Sequence, residues 1–137
     1  MNESNDLLDV PTIQRRVKAL AGRLGRSDLT IRSSSTQDGS PHIEVDDSYS
    51  FVVCERGVEL QRRKTTDLDE LLFWILENVT SNLAWNYELQ HRRDGEDSRR
   101  QAFAKQVELL SLLSPDWGDR QKAELEEILA RHPFRDV

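Results

Sequence analysis

The sequence predicts a single α+β domain, with an N-terminal helix, a four-stranded antiparallel meander and three C-terminal helices packed on the sheet. Two patterns lead to this fold class. Between residues 29 and 64, apolar and polar side chains alternate in short runs that turn-forming residues separate, as in strands. On either side of that segment, apolar residues recur every three or four positions, as on the buried face of a helix. One face of such a sheet is apolar, so we expect the helices to cover it.

The length and charge of the chain narrow the range of partners. At 137 residues, the chain has the length of one domain and can bury a core without a metal or a disulfide. Its net charge is -6, and residues 67–137 carry the whole acidic excess. Nucleic-acid backbones are bound by clusters of lysine and arginine, so we predict no nucleic-acid partner. An acidic surface fits a basic protein partner better, and solubility is the alternative reason for it.

Cysteine usage and hydropathy indicate a reducing, aqueous compartment. Cys54 is the single cysteine, and it lies in an apolar strand pattern that suits a small buried residue. The polar, acidic N-terminus is unlike a signal peptide. The longest apolar run, residues 71–76, is much shorter than a membrane span. We therefore predict a cytoplasmic protein with no membrane association.

The chain begins with a predicted flexible tail, residues 1–9, which a helix follows. Pro11 suits the first turn of that helix, and Gly25 suits its C-cap. The apolar stripe of the helix consists of Ile13, Val17, Leu20 and Leu24.

Four strands are predicted in residues 29–64, and the first of them contains the alternating Leu29 and Ile31. Gly57 supplies the positive φ that a two-residue hairpin loop needs between the last two strands. The three turns are predicted at residues 37–41, 46–47 and 56–57.

Three helices are predicted in the helical part, residues 66–132. The first opens with a threonine cap and acidic residues in its first turn, where the helix dipole favours them. The second is capped by Asp97 or Ser98. The third is capped by Ser114, with Pro115 at the first helical position.

No group of residues has the spacing of a catalytic or metal-binding motif. The three histidines are far apart, and His42 beside Glu44 is explained better by an exposed strand histidine than by metal or acid–base chemistry. We predict a protein that is not an enzyme, with no catalytic residues, cofactor or metal, and a monomer in preference to an oligomer. Two alternatives stay open: a small hydrolase that uses Glu55 and Glu59 or His42, and a homodimeric adaptor that associates through its helices.

Four arginines lie on either side of the polar break at residues 94–97. Acidic residues are interspersed among them, which favours a structural ion-pair network over an anion or nucleic-acid site. Such a network could also tie the long helix to the sheet through Glu55 or Glu59. The arginines are Arg92, Arg93, Arg99 and Arg100.

Several short motifs, taken together, are typical of one protein family. In chain order they are Glu55-Arg56-Gly57 between two strands, Asp69-Glu70-Leu71-Leu72-Phe73-Trp74, Asp97-x-Arg99-Arg100-x-x-Phe103, Trp117, and Pro133-Phe134-x-Asp136. With these motifs the chain resembles the immunity protein 63 family of bacterial polymorphic toxin systems, over roughly residues 12–136.

The resemblance implies a cytoplasmic antidote that binds and blocks one cognate toxin domain, and so protects the producing cell. It carries over no catalytic residues and fixes no particular toxin activity. Toxin-facing surfaces tend to vary within such families, so the recurrent residues are implied to be structural. These residues are Glu55, Arg56, Asp97, Arg99 and Arg100.

An acidic surface that meets a basic toxin cleft would steer binding and cover the active site of the toxin, and a nuclease toxin fits this charge pattern best. We therefore predict two groups of toxin-binding residues. On the sheet hairpin they are Glu44, Asp46, Asp47 and Tyr49, and on the acidic last segment they are Asp116, Asp119, Glu124 and Glu127.

Overall fold

A computed structural model of the protein describes residues 6–137, so residues 1–5 of the predicted tail lie outside the described part. The α+β class is confirmed, with four helices and one antiparallel sheet of three strands. The helices are α1 (Val10–Gly22), α2 (Leu68–Gln90), α3 (Ser98–Leu113) and α4 (Pro115–Arg131), and the strands are β1 (Asp38–Val45), β2 (Tyr49–Glu55) and β3 (Val58–Thr65).

The chain divides into two compact units, and the boundary between Ile75 and Leu76 falls inside α2. The first unit contains α1 and the sheet, and the second contains α3 and α4. The prediction of a single domain stays a prediction, and each unit is described by itself.

The sheet has the order β1-β2-β3, and the fourth strand predicted at Leu29 and Ile31 is wrong. In its place, one parallel bridge joins Arg32 to His42. Gln14 of α1 holds the segment before that bridge, because its Nε2 donates to the Ile31 carbonyl at 2.8 Å. A carbonyl that a side chain satisfies in this way needs no partner strand.

The predicted two-residue loop between β2 and β3 is confirmed. Arg56 and Gly57 have φ values of 54° and 81°. Two successive positive φ values are what a two-residue type I′ hairpin turn requires. Gln37, which precedes β1, binds both amides of the loop. Its carbonyl accepts from Arg56 N–H at 3.1 Å, and its side-chain oxygen accepts from Gly57 N–H at 2.6 Å. The tip of the hairpin is therefore fixed from outside as well as by its own sequence.

The last residues of the predicted tail are anchored. The side chain of Asp9 caps α1 by accepting from Thr12 N–H at 3.0 Å, and Leu8 N–H donates to Tyr49 Oη at 2.9 Å. The prediction that Leu8 and Asp9 belong to a flexible tail is therefore wrong. The most buried apolar side chains of the first unit include Ile13, Val17, Ile43, Tyr49, Val52, Leu71, Phe73 and Ile75.

In the second unit, α3 and α4 form a helical hairpin through Ser114, which is the C-cap of α3 and the N-cap of α4. Ser114 Oγ accepts from Trp117 N–H, and Pro115 stands in the first turn, so this predicted cap is confirmed. The helices approach closely at Gly118, where an added Cβ would overlap the side chain of Ser111. Leu110, Trp117 and Leu125 are buried there.

Candidate functional site

The hairpin acidic group, Glu44, Asp46 and Asp47, lies at and beside the turn between β1 and β2. Asp46 and Asp47 are exposed, and within residues 6–137 neither side chain forms an ion pair. Glu44 is different, because Arg62 Nη1 donates to it at 2.9 Å and His42 Nε2 lies 2.9 Å away. The charge of this group that is available to a partner therefore resides on Asp46 and Asp47.

Glu44 belongs to a row of four polar side chains that contact one another across the sheet. In order, they are His42, Glu44, Arg62 and Glu59. Arg62 donates two hydrogen bonds to the Glu59 carboxylate, of 2.8 and 3.1 Å. The Arg62 guanidinium lowers the pKa of both carboxyls below their usual range, and His42 adds to the effect on Glu44. His42 is only 4% exposed, so the expectation of an exposed strand histidine is wrong.

Tyr49, the fourth residue predicted for the hairpin surface, is 2% exposed. Its ring belongs to the core of the first unit, and its hydroxyl accepts the Leu8 amide. We correct the prediction accordingly: Tyr49 anchors the segment before α1 and presents no surface to a partner. Alternation along β2 predicted the face on which this side chain lies, but not what covers that face.

The α4 acidic group, Asp116, Asp119, Glu124 and Glu127, is exposed throughout. Arg120 pairs with Glu124 at 3.3 Å, and Arg131 pairs with Glu127 at 3.7 Å. Among the described residues, no ion pair involves Asp116 or Asp119. Asp116 also lies in the first turn of α4, where the helix dipole stabilises a negative charge.

A second cluster, which we name the C-terminal clasp, joins the start of α3 to residues 132–137. Asp97 caps α3 by accepting from Arg99 N–H at 2.9 Å, and it also accepts from Arg135 N–H at 2.8 Å. Arg99 forms an ion pair of 2.8 Å with Asp97 and donates to the carbonyls of His132 and Pro133 at 2.8 Å each. The ion pair between Asp97 and Arg99 therefore also satisfies backbone groups at the start of α3 and in residues 132–135.

Arg100 completes the clasp from the next position of α3. Its guanidinium pairs with Asp136 at 2.8 Å and lies 4.2 Å from the ring centroid of Phe134. Asp136 in turn accepts from Asp97 N–H at 2.8 Å. The motif around Asp97 and the motif around Phe134 therefore share one structural role, which is to hold the C-terminal residues against the start of α3.

Glu55 and Arg56 do not extend this ion-pair network, contrary to the predicted set. Arg56 is exposed at the hairpin tip and forms its bond through the backbone. Neither side chain forms an ion pair within the part of the chain that the structure describes. The reason is local, since the turn demands two residues with positive φ and leaves the Arg56 side chain in solvent.

Two residues of the hydrolase alternative, Glu59 and His42, are engaged in other contacts. Both oxygens of Glu59 are bound by Arg62, and His42 contacts Glu44. In residues 6–137, no three His, Cys, Asp or Glu side chains are placed to hold a metal ion.

Several ion pairs of the structure were not predicted from the sequence, and two of them involve a buried residue or a candidate site residue. Glu88 is 1% exposed and receives hydrogen bonds of 2.9 and 3.1 Å from Arg92, four residues later and just past the end of α2. Their spacing of four residues was the available signal. Arg62 with Glu44 gave no such signal, because 18 residues separate the two side chains.

Comparison with known families decides what kind of protein carries these features. The family model for immunity protein 63 matches residues 46–127, from the turn between β1 and β2 into the C-terminal half of α4. The chain belongs to the immunity protein 63 family. The resemblance seen in the sequence is thereby confirmed, and membership indicates an immunity protein of a toxin system. Searches of curated proteins and of solved structures found no match.

The segment that the family model matches contains most residues of both acidic groups of this immunity protein. It includes Asp46 and Asp47 and all four members of the α4 acidic group, whereas Glu44 precedes it. It includes Asp97, Arg99 and Arg100 but ends before residues 132–137. None of the helices in residues 6–137 has the length and apolar character that crossing a bilayer requires.

Proposed function

We propose that this protein binds one cognate toxin domain, a nuclease, and neutralises it by covering its active site. The match to the immunity protein 63 family carries this proposal. The charge of the chain supports the choice of toxin. Nucleases bind phosphate backbones through lysine and arginine, and a protein with a net charge of -6 complements such a surface.

The exposed carboxylates supply the proposed contacts. Asp46, Asp47, Asp116 and Asp119 are exposed and form no ion pair with another described residue, so a partner can use their charges without first breaking an ion pair. Glu44, Glu124 and Glu127 already have arginine partners, and their contribution to toxin binding would be smaller. The proposed contact set therefore narrows to four aspartates.

Charge reversal tests this proposal. We expect the pairs Asp46→Lys/Asp47→Lys and Asp116→Lys/Asp119→Lys, made separately, to identify the contact group. At least one pair should lower the association rate with the toxin domain encoded beside this gene by about tenfold, because steering by opposite charge is lost. The effect should shrink as salt is raised, since exposed charges are screened. Stopped-flow binding at low and high salt measures both quantities.

Arg16→Glu serves as the matched control, because Arg16 is exposed on α1 and the change alters the charge of another surface. It should leave the association rate unchanged or raise it. If both lysine pairs associate as fast as the wild-type protein at low salt, the acidic groups do not steer the toxin.

A further inference from the structure

One face of the C-terminal half of α2 is exposed to solvent and carries no charge. Its four exposed residues follow one another at spacings of three, one and three positions, which places them together on one side of the helix. We name this surface the neutral face, and it consists of Asn82, Trp85, Asn86 and Leu89. Leu89 is 60% exposed and Trp85 is 37% exposed. The neutral face belongs to the second compact unit.

The lack of charge sets this face apart from the rest of the protein surface. Charged residues make up 32% of the sequence, yet residues 78–90 contain only one, Glu88. Glu88 is buried and bound by Arg92, so it contributes no charge to the neutral face. An exposed tryptophan and leucine without charged neighbours on the same face have the composition of the centre of a protein interface, from which charged residues are depleted.

The polar residues of the neutral face can pair with copies of themselves. When two identical chains meet around a two-fold axis, the same patch on each chain faces the other. Charged side chains near that axis would oppose like charges, whereas the amide of an asparagine side chain both donates and accepts hydrogen bonds. Within residues 6–137, the side chains of Asn82 and Asn86 form no hydrogen bond, so both amides are available for such pairing.

The charge of the chain favours a second copy over the toxin as the partner of this face. Two copies that each carry a net charge of -6 repel one another, and a contact through an uncharged face keeps like charges out of the interface. A basic toxin is attracted to carboxylates, and the neutral face offers none. The four aspartates proposed to contact the toxin all lie outside α2.

We propose that the neutral face is the contact between two copies of this chain in a two-fold dimer. Trp85 and Leu89, one helical turn apart, supply its apolar centre, and the asparagine amides pair across the axis. A contact limited to one helix face buries less than the roughly 800 Å² per partner of a standard interface, so we expect a dissociation constant in the micromolar range. The dimer departs from the monomer predicted from the sequence, and it does not depend on toxin binding.

Sedimentation velocity at several protein concentrations tests the dimer. The wild type should shift from monomer to dimer as its concentration is raised from about 1 µM to about 200 µM. Leu89→Glu should stay monomeric over this range, because two unpaired carboxylates would be brought together in the contact. Leu112→Glu is the matched control, since Leu112 is 56% exposed on α3 and the substitution changes the charge by the same amount. It should dimerise as the wild type does.

Asn86→Glu is a second variant, which places the same charge on the neutral face without removing an apolar side chain. It should also be monomeric, and circular dichroism verifies the fold of each variant beforehand. A wild-type protein that stays monomeric at the highest concentration overturns the proposal, as does a dimer that persists in both folded variants. Loss of the dimer in Leu112→Glu as well would show that added charge alone separates the copies, and would overturn the assignment to this face.

Binding to the toxin domain encoded beside this gene separates the second copy from the other candidate partner. If the wild type is monomeric and Leu89→Glu dissociates from that domain faster than the wild type does, the neutral face contacts the toxin and the proposed dimer is wrong. A dimeric wild type whose Leu89→Glu variant is monomeric and binds the toxin domain with unchanged rates supports the dimer.

Discussion

Replacing Gly118 by alanine should lower the free energy of unfolding by about 3 kcal/mol, at the upper end of the cost of overpacking a core. The added Cβ would overlap Ser111 Oγ and would lie 2.9 Å from Cβ and 3.0 Å from Cα of the same residue. Rotation of the serine removes only the first of these overlaps, so α3 and α4 must move apart. Denaturant unfolding followed by circular dichroism measures the loss.

Gly22→Ala is the control for this substitution. Gly22 ends α1, and its added Cβ would meet Ser27 Cβ at 3.6 Å, an ordinary contact distance. Alanine should be neutral or slightly stabilising there, because it restricts the unfolded chain. Ser111→Gly should restore part of the stability lost in Gly118→Ala. If Gly118→Ala unfolds at the same denaturant concentration as the wild type, the close helix contact is absent.

Replacing Asp97 by asparagine should weaken the C-terminal clasp and change how stability depends on pH. Asparagine can still cap α3, but it carries no charge for Arg99. The Arg99 side chain, with the amides of Arg135 and Arg99, holds the pKa of Asp97 well below its ordinary value of 3.8. Since the pKa is lower in the folded than in the unfolded protein, the stabilisation is full above about pH 4 and is lost as pH falls further.

We therefore expect Asp97→Asn to lower the thermal midpoint at pH 7 by on the order of 5 °C. The difference from the wild type should shrink as pH falls below about 4, because protonation removes the same charge from the wild-type protein. Asp94→Asn is the control, since Asp94 is exposed and outside the clasp, and it should melt with the wild type at pH 7. A difference between Asp97→Asn and wild type that stays constant down to pH 2 would contradict the role of the Asp97 charge.

Local chemistry explains which parts of the fold could be predicted. Asp97 and Ser114 cap their helices by accepting from amides two and three residues further on, and the loop at Arg56-Gly57 depends on the positive φ of its own two residues. Each of the three has the predicted position. The strand predicted at Ile31 failed because its carbonyl is taken by Gln14, 17 residues earlier. Alternation in the sequence carries no information about such a partner.

The same distinction holds for the candidate site. Sequence identified the exposed aspartates of α4 because helical spacing separates the buried stripe from the solvent face. It did not show that Glu44 is held by Arg62, or that Arg135 lies against Asp97, because these partners are 18 and 38 residues apart. It also could not show that Tyr49 is covered, since burial depends on what packs over a strand.

The most direct test of the central claim is calorimetric titration of the full chain with the toxin domain encoded beside this gene, at two salt concentrations. If the proposed function holds, we expect one-to-one binding with nanomolar affinity that weakens as salt is raised, together with loss of toxin activity in the same mixture. Absence of detectable binding at both salt concentrations would contradict it and would bring forward the hydrolase and adaptor alternatives.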